Sequence, residues 1–501
     1  MSLRKFPSLL KCDEVITHAN KPLANKVVSK KFGDVKKISL FERSEFEIFS
    51  RRAFCVLTGL APARSLGVVR GGLEGDATQA QADQSKRPKS PPRAIIKASA
   101  FKKPLLNKLF YKFIKICPHL PHSYMEKFVI YLKKRNGGHT MHKNRIDRLI
   151  KKMEEAKLPH MIISDPYAIF YLLDRMIEPG ERALALYIHK DGDIKLLINE
   201  LFPQEEEAGV DFIWYNDIED GIEKLSKYIK DDEVIGIDKF WSAKFLLRLQ
   251  EIFPDKKYVN GSTIVDGVRR IKDEEEKQLM RESSAINDAV MEDLIPWVVK
   301  GLSEKELSQK LKEIYKAHGV EEVSFEPITA YGRSAADPHH STDNTKGKLG
   351  DCVVLDIGGM YKNYASDMTR TVFIGEVSDR AREIYEIVKE ANLRGIAAAK
   401  PGNKMSDVDK AARSYIEEKG YGKYFTHRTG HSIGLETHEE GDVSSVNDSI
   451  IEVGQIFSVE PGIYLLEEGI GVRTEDLVLI TEDGCEVLNK VSKELRVVPI
   501  E

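Results

Sequence analysis

"CVVLDIGGMYKNYASDMTRTVF", residues 352–373, is the stretch on which the fold turns. Two β-like runs, 352–357 and 366–374, flank "GGMYKN", whose glycines and asparagine suit a turn. Each run carries an acid among apolar residues: Asp356 in "CVVLDIGG" and Asp367 in "NYASDMTRTVF". Strand interiors disfavour aspartate, and a buried carboxylate is costly unless paired or metal-bound. If the turn brings the runs together, the two carboxylates face each other across neighbouring strands. Folding alone does not readily explain two such acids flanking one hairpin.

The pattern recurs further along. Glu460 follows "IFSV" and precedes Pro461-Gly462, and Glu475 sits in "GVRTEDLVLI", with the short loop "LLEEGIG" between them. These acids belong to two more predicted strands, 456–464 and 472–480. Four carboxylates converging on one sheet would repel at neutral pH unless cations sat among them. Oxygen ligands with one or two imidazoles suit Mn²⁺, Co²⁺, Fe²⁺ or Zn²⁺, and no thiolate motif competes. One tetrahedral zinc cannot use so many carboxylates, so two ions sharing them is the economical reading.

"HRTGHSIGLETHEE", 427–440, supplies imidazoles at His427, His431 and His438. Gly430 and Gly434 would each weaken a helix by about 1 kcal/mol relative to alanine. A strand therefore fits better, with His427 and His431 on one face and His438 pointing elsewhere unless the chain bends. The spacing alone leaves ligand, acid/base group and plain loop residue all open.

Around these strands the sequence predicts helices. "DEEEKQLMRESSAINDAVMEDLI" (273–295) places acids in its first turn. Ser303 and Glu306 form a capping box that opens a helix to about Ala317. A third helix spans 382–399, and Ser406 is the expected cap of a fourth that ends at Gly420. Helices grouped against an antiparallel sheet indicate an α+β domain over 270–501. Residues 141–265 instead alternate strand and helix signals and read as an α/β domain. "HMIIS" (160–164) and "VIGID" (234–238) are strand candidates, and 182–199 reads as a hairpin turning at Asp191-Gly192-Asp193. Ile218, Ile222, Leu225 and Ile229 have helical spacing, and "KFLLRLQEIF" (244–253) is another helix. No chemical motif is evident there, which leaves packing, dimer contacts or closure of a substrate pocket.

Charge divides the 501-residue chain more sharply than its net value of −3 suggests. Residues 1–140 hold 28 Lys+Arg against 10 Asp+Glu, and the remainder holds 48 against 69. The stretch 71–93 reads as disordered linker. The basic, aromatic 105–135 segment could serve a membrane surface or nucleic acid, but a segment without evolved function is the favoured reading, with neither partner expected. Residues 1–140 thus read as a basic extension, disordered or non-native, before a new start at Met141. Five unpaired-looking cysteines and no long apolar run predict a cytoplasmic protein without disulfides or a membrane span.

Asp356, Asp367, His431, Glu460 and Glu475, in that order and context, resemble the metal set of the pita-bread metallopeptidases, which include methionine aminopeptidase, aminopeptidase P and prolidase. "DIGGMYKNYASDMTRTVF", "HRTGHSIGLETHE", "FSVEPGIY" and "GVRTEDLVLI" are similar to the Xaa-Pro peptidase branch. The likeness covers 270–501 strongly, 141–265 resembles that branch's smaller N-terminal domain, and 1–140 is outside it. The resemblance implies a pita-bread catalytic domain holding two divalent ions (Mn, Co or Zn), a peptide substrate with proline second, and a homodimer.

By the same resemblance Asp356 holds one ion, His431 and Glu460 the other, and Asp367 and Glu475 bridge them. Glu460 also shuttles a proton to the leaving amine after attack by metal-activated water. His339, in "SAADPHHST", and His438 position the peptide and stabilise the oxyanion, whereas His340 and His427 have no implied role. Arg473, two residues before Glu475, is read as orienting that carboxylate or a substrate, against a plain surface arginine. One departure stands out. Strict dipeptidases of the branch often carry an arginine four residues after the histidine matching His438, where this chain has Asp442. An acid there would repel a substrate carboxylate, so Xaa-Pro aminopeptidase action is expected ahead of Xaa-Pro dipeptidase (prolidase) action. A metal-free peptide-binding relative and creatinase-like C–N hydrolysis are weaker readings, since all five ligands are present.

Overall fold

The computed structural model describes residues 141–204 and 209–500. The basic segment 1–140, with its 71–93 and 105–135 stretches, lies outside the described residues. Among the described residues no helix is long and apolar enough to cross a membrane, and Cys352 and Cys485 are free thiols.

The first domain runs α1 (Lys143–Glu155), β1 (His160–Ile163), α2 (Pro166–Leu173), β2 (Ala185–His189), β3 (Ile194–Asn199), β4 (Asp211–Tyr215), α3 (Gly221–Ser226), β5 (Val234–Ile237), α4 (Ala243–Ile252), β6 (Lys257–Asn260) and α5 (Ser262–Arg270). Its six strands form one mixed sheet in the order β4-β3-β2-β1-β5-β6. Strand alternation gives the sheet two apolar faces. Met161 and Ile163 pack with residues of α1 and α2, while Ile162 packs with Leu225 of α3 and Leu249 of α4. The β2–β3 hairpin turns at Asp191-Gly192-Asp193 as expected, with Gly192 at φ +90°. The helical spacing from Ile218 to Ile229 overreached at both ends, because Asp220 accepts the N–H groups of Ile222 and Glu223 and so starts α3 at Gly221, and the helix stops at Ser226. Ile218 is left 95% exposed.

The second domain begins with α6 (Glu274–Leu294) and α7 (Glu304–Ala317). Both open with complete capping boxes, Asp273 with Glu276 and Ser303 with Glu306. Strands β7 (Ile328–Tyr331), β8 (Cys352–Ile357), β9 (Met360–Tyr361), β10 (Tyr364–Ala365) and β11 (Met368–Ile374) follow, then α8 (Asp379–Ala398) and α9 (Met405–Glu418). The remaining strands are β12 (Gly430–Ser432), β13 (Glu439–Val443), β14 (Ile456–Val459), β15 (Gly462–Leu465), β16 (Ile470–Arg473), β17 (Asp476–Ile480), β18 (Cys485–Val487) and β19 (Arg496–Val498).

Two larger sheets result, β19-β11-β8-β7 and β13-β12-β14-β17-β18, with β15–β16 a separate hairpin. Along β8, Val353, Leu355 and Ile357 pack with residues of α6 and α7, while Cys352 and Val354 pack with those of α8 and α9. The domain is α+β, as the grouped helices predicted. Two helix starts differ from expectation. Ser378 accepts the N–H of Ala381 and so begins α8 before residue 382. Ser406 lies inside α9 and not at its cap, and its hydroxyl donates to Asp448 at 2.8 Å. One continuous apolar cluster joins the domains, uniting Leu149, Tyr171 and Val268 with Met280, Ile433, Ile456 and Leu477.

Candidate metal centre

The turn between the first two acids is a small hairpin, β9–β10, closed by Lys362 and Asn363 at φ +49° and +67°. Positive φ at both central residues is the two-residue turn that matches strand twist. It returns the chain so that β8 and β11 pair antiparallel, with Thr369 opposite Asp356. Asp367 lies two residues before Thr369, so both aspartates occupy one face of the ladder, diagonally placed. The glutamates are brought together differently. Glu460 and Glu475 fall in the gap where the β14–β17 ladder ends (Val459 opposite Asp476) and the β15–β16 ladder begins (Gly462 opposite Arg473). Such breaks re-aim side chains. His431 arrives on β12, whose neighbour Gly430 passes so close to β14 that a Cβ there would lie 1.9 Å from the Ser458 carbonyl oxygen.

All five side chains meet. His431 Nε2 lies 3.6 Å from Asp367 Oδ2 and 3.4 Å from Glu460 Oε1. Donor atoms of Asp367, His431 and Glu475 lie within 4.8 Å of one another. Asp356 Oδ1, Asp367 Oδ1 and Glu475 Oε1 are buried without a hydrogen-bond partner. Burial, then the Glu475 charge, pushes the Asp367 carboxyl well above the carboxylate range; burial, then Glu460, does the same to Glu475. Glu460 is pushed up to about 7, by burial that Arg473 only partly offsets. Burial, with His438 and Arg428 nearby, draws His431 down to about 3. That ring is therefore neutral and makes no ion pair with its acids. Its Nδ1 lies 3.2 Å from the Ser432 carbonyl, which fixes the proton there and leaves the Nε2 lone pair toward the carboxylates. Buried carboxylate oxygens without partners, on acids clustered about an imidazole lone pair, fit a divalent cation of hard or borderline character.

The other predicted residues surround this cluster. His438 packs edge-on against His431, ring centroids 4.2 Å apart, and burial followed by Arg428 lowers its pKa. His339 is solvent-exposed, on a loop where Asp337 accepts its backbone N–H at 3.0 Å. Arg473 is neither a surface arginine nor the partner of Glu475. It is buried, and donates to Asp356 Oδ2 at 2.6 Å, Thr369 Oγ1 at 3.1 Å and the Tyr464 hydroxyl at 2.9 Å. Glu475 is oriented instead by the Thr369 hydroxyl at 2.8 Å. His427 completes the chain: its Nδ1 lies 2.7 Å from the Arg428 carbonyl, and its Nε2 2.9 Å from the Tyr464 hydroxyl.

Three features escaped the sequence reading. Asp442 is ion-paired with Arg428, in the loop just before β12, so its charge is compensated. Glu304, fully buried at the start of α7, accepts from Tyr331 N (3.1 Å), Asp343 N (2.9 Å) and His340 Nε2 (2.6 Å), and so anchors the loop that carries His339. Thr369 was skipped, although its position two residues beyond Asp367 puts it on the same strand face.

Comparison with known proteins agrees with this geometry. Residues 278–482 match metallopeptidase family M24, and 145–271 match the creatinase/prolidase N-terminal domain. The chain is 33% identical over 356 residues to an Xaa-Pro dipeptidase of Pyrococcus furiosus, covering 70% of this chain and 99% of that protein. A dipeptidase structure from Pyrococcus horikoshii is similar at TM-score 0.65 and 33% identity, over 70% of this chain and 99% of the other. An X-Pro aminopeptidase structure from Thermotoga maritima follows at 0.61 and 30%, over 69% and 99%. This chain belongs to the M24 metallopeptidases and, with its creatinase/prolidase-type first domain, to their Xaa-Pro peptidase group. It is a metallo-exopeptidase.

Proposed function

We propose that this chain is a prolidase: it hydrolyses Xaa-Pro dipeptides using two divalent cations held by Asp356, Asp367, His431, Glu460 and Glu475. The catalytic unit is 270–501, with 141–265 flanking it. The observation that carries the metal reading is the set of buried carboxylate oxygens without partners around a neutral imidazole. When bound, the cations activate a water and polarise the scissile carbonyl. The chain's own groups do the rest. Asp367 and Glu475 would serve both ions, Asp356 would serve one, and His431 and Glu460 would serve the other. Arg473 holds Asp356 Oδ2, so that Oδ1 is the oxygen offered to a cation. Glu460 carries a proton to the departing proline nitrogen. His438 and His339 donate N–H groups to the carbonyl oxygen as its charge grows.

The substrate class follows from two supports. The dipeptidase relatives match over nearly their whole length. The charge that argued against a dipeptide is also cancelled, because Arg428 pairs with Asp442 and its guanidinium lies near enough to His438 and Glu460 for its charge to act on both. Asp442 thus orients a cation for the dipeptide's free carboxylate, and the order of the two substrate readings is reversed. Xaa-Pro aminopeptidase action remains the second reading, favoured by the likeness to the Thermotoga enzyme.

Rates on Xaa-Pro dipeptides beside Xaa-Pro-Yaa peptides, with and without added Mn²⁺, test the proposal. Dipeptides should be cleaved faster, and Arg428→Met should raise their KM about 10–100-fold, the worth of a hydrogen bond to a charged group. Xaa-Pro amides should be indifferent to that change. Faster cleavage of the longer peptides would favour the aminopeptidase reading.

A further inference from the structure

A second cluster of metal-ligating side chains lies in the first domain, independent of the proposed reaction. His160 opens β1 and His189 closes β2, and the two are direct partners across the antiparallel ladder. Their rings lie on the same side of the sheet, centroids 4.9 Å apart and tilted by 49°. Asp232, in the connection between α3 and β5, reaches over both. Its Oδ2 is 3.0 Å from His189 Nε2 and 3.5 Å from His160 Nε2.

The opposite nitrogens of both rings are already engaged. His189 Nδ1 lies 2.7 Å from Asp191 Oδ1, with the Asp191 N–H 3.4 Å away, so that nitrogen is turned from Asp232 and held by the β2–β3 turn. His160 Nδ1 lies 3.0 Å from the Tyr187 hydroxyl. Wherever Nδ1 is the protonated nitrogen, the Nε2 lone pair faces the Asp232 carboxylate oxygen, an arrangement that a proton or a cation must bridge. His160 Nε2 is fully buried and has no hydrogen-bond partner. Burial, then His189, pulls the His160 pKa down to about 4, so at neutral pH this ring is an uncharged donor.

We propose that His160 Nε2, His189 Nε2 and Asp232 Oδ2 form a second metal site, one that takes Zn²⁺ or a similar borderline cation. Three donors on a tetrahedral ion with bonds near 2.0–2.1 Å are separated by about 3.3–3.4 Å, which brackets well with the 3.0 and 3.5 Å found here. The Asp191 carboxylate and Tyr187 hydroxyl are the outer partners that fix ring orientation in such sites. Asp232 is one-third exposed, so an ion enters from solvent and keeps a water as fourth ligand. Two ammonium groups border the cluster without occupying it. Lys190 Nζ lies 3.3 Å from the other Asp232 oxygen, Oδ1, and Lys256 Nζ is held by the carbonyls of Lys230 and Asp232. An ion here would tie the α3–β5 connection to the β1–β2 ladder and act as a clip on the first domain.

The test removes the catalytic cluster first. The full chain carrying Asp367→Ala and Glu475→Ala should still retain one Zn²⁺ after equilibrium dialysis, and its melting temperature should rise with added Zn²⁺. Adding His160→Gln with His189→Gln, or separately Asp232→Asn, should abolish both the retained zinc and the thermal shift. The Asp232 variant alters a partly exposed side chain and so guards against misfolding of the histidine pair. Zinc that is absent from the first variant, or that persists in both of the others, overturns the proposal.

Discussion

Two buried charge clusters lie side by side in this chain, and they are built on opposite principles. At the candidate metal centre, Asp356, Asp367, Glu460 and Glu475 lie about one buried cation, Arg473, and three of their buried oxygens have no hydrogen bond. Beside it, at the junction of the domains, Asp165, Glu436 and Glu439 meet two cations, Arg269 and Lys272. Glu439 accepts from Arg269 at 2.8 Å, Lys272 at 2.9 Å and the Leu435 N–H at 3.0 Å. His438 and Glu439 are adjacent in sequence, yet one faces each cluster. Acidity and burial are common to both; what separates a ligand site from a structural one is whether the protein supplies its own counter-charge.

Breaking each cluster should therefore fail differently. Asp367→Ala should bring activity to background and release metal while the chain stays folded, read by metal analysis beside circular dichroism. Exhaustive chelation should do the same to the wild type, and activity surviving it would sink the metal reading.

Glu439→Gln should leave metal content intact but cost about 3–5 kcal/mol of stability, the usual result of stranding a buried partner. The pair of cations, acting against burial, holds the Glu439 carboxyl down at about 2. Its contribution is then complete above the ordinary glutamate pKa near 4.3 and is lost as pH falls toward 2. Denaturant midpoints across that window should fall more steeply in the wild type than in the variant; parallel curves would contradict the assignment.

His438→Ala sharpens the boundary between the clusters. It should keep its metal and lose about 10²–10³ in kcat, whereas His431→Ala should lose the metal itself. Equal metal loss in the two would mean the histidines are misassigned. The smallest effect is expected of truncation. A chain beginning at Met141 contains both clusters and every proposed ligand, so it should fold, bind metal and cleave peptide as the full chain does. Loss of activity there would make residues 1–140 part of the enzyme.

Local chemistry made much of this readable in the sequence. The capping box at Ser303 uses residues three apart, and Asp356 and Asp367 stand out because apolar runs surround them. What stayed hidden depends on contacts far apart in the chain. Arg473 looked like a companion of Glu475 two residues away, but its partner is Asp356, 117 residues distant. Asp442 was read by its own sign, since nothing in the spacing places Arg428 against it. Ser406 has the chemistry of a cap, yet Asp448 takes its hydroxyl and α9 starts before it.

Glu304 shows what such a distant contact does for binding. One carboxylate ties down Tyr331, His340 and Asp343, so the loop is fastened on both sides of His339 while that ring stays free in solvent. On the proposal that His339 meets the peptide, the substrate finds the backbone already ordered and has only a short side chain to still. Immobilising a side chain costs about 0.5–1.5 kcal/mol, and an unfastened loop would add its backbone to that cost. On that proposal the buried acid acts in the free enzyme, before any substrate arrives, and lowers the entropy lost at encounter.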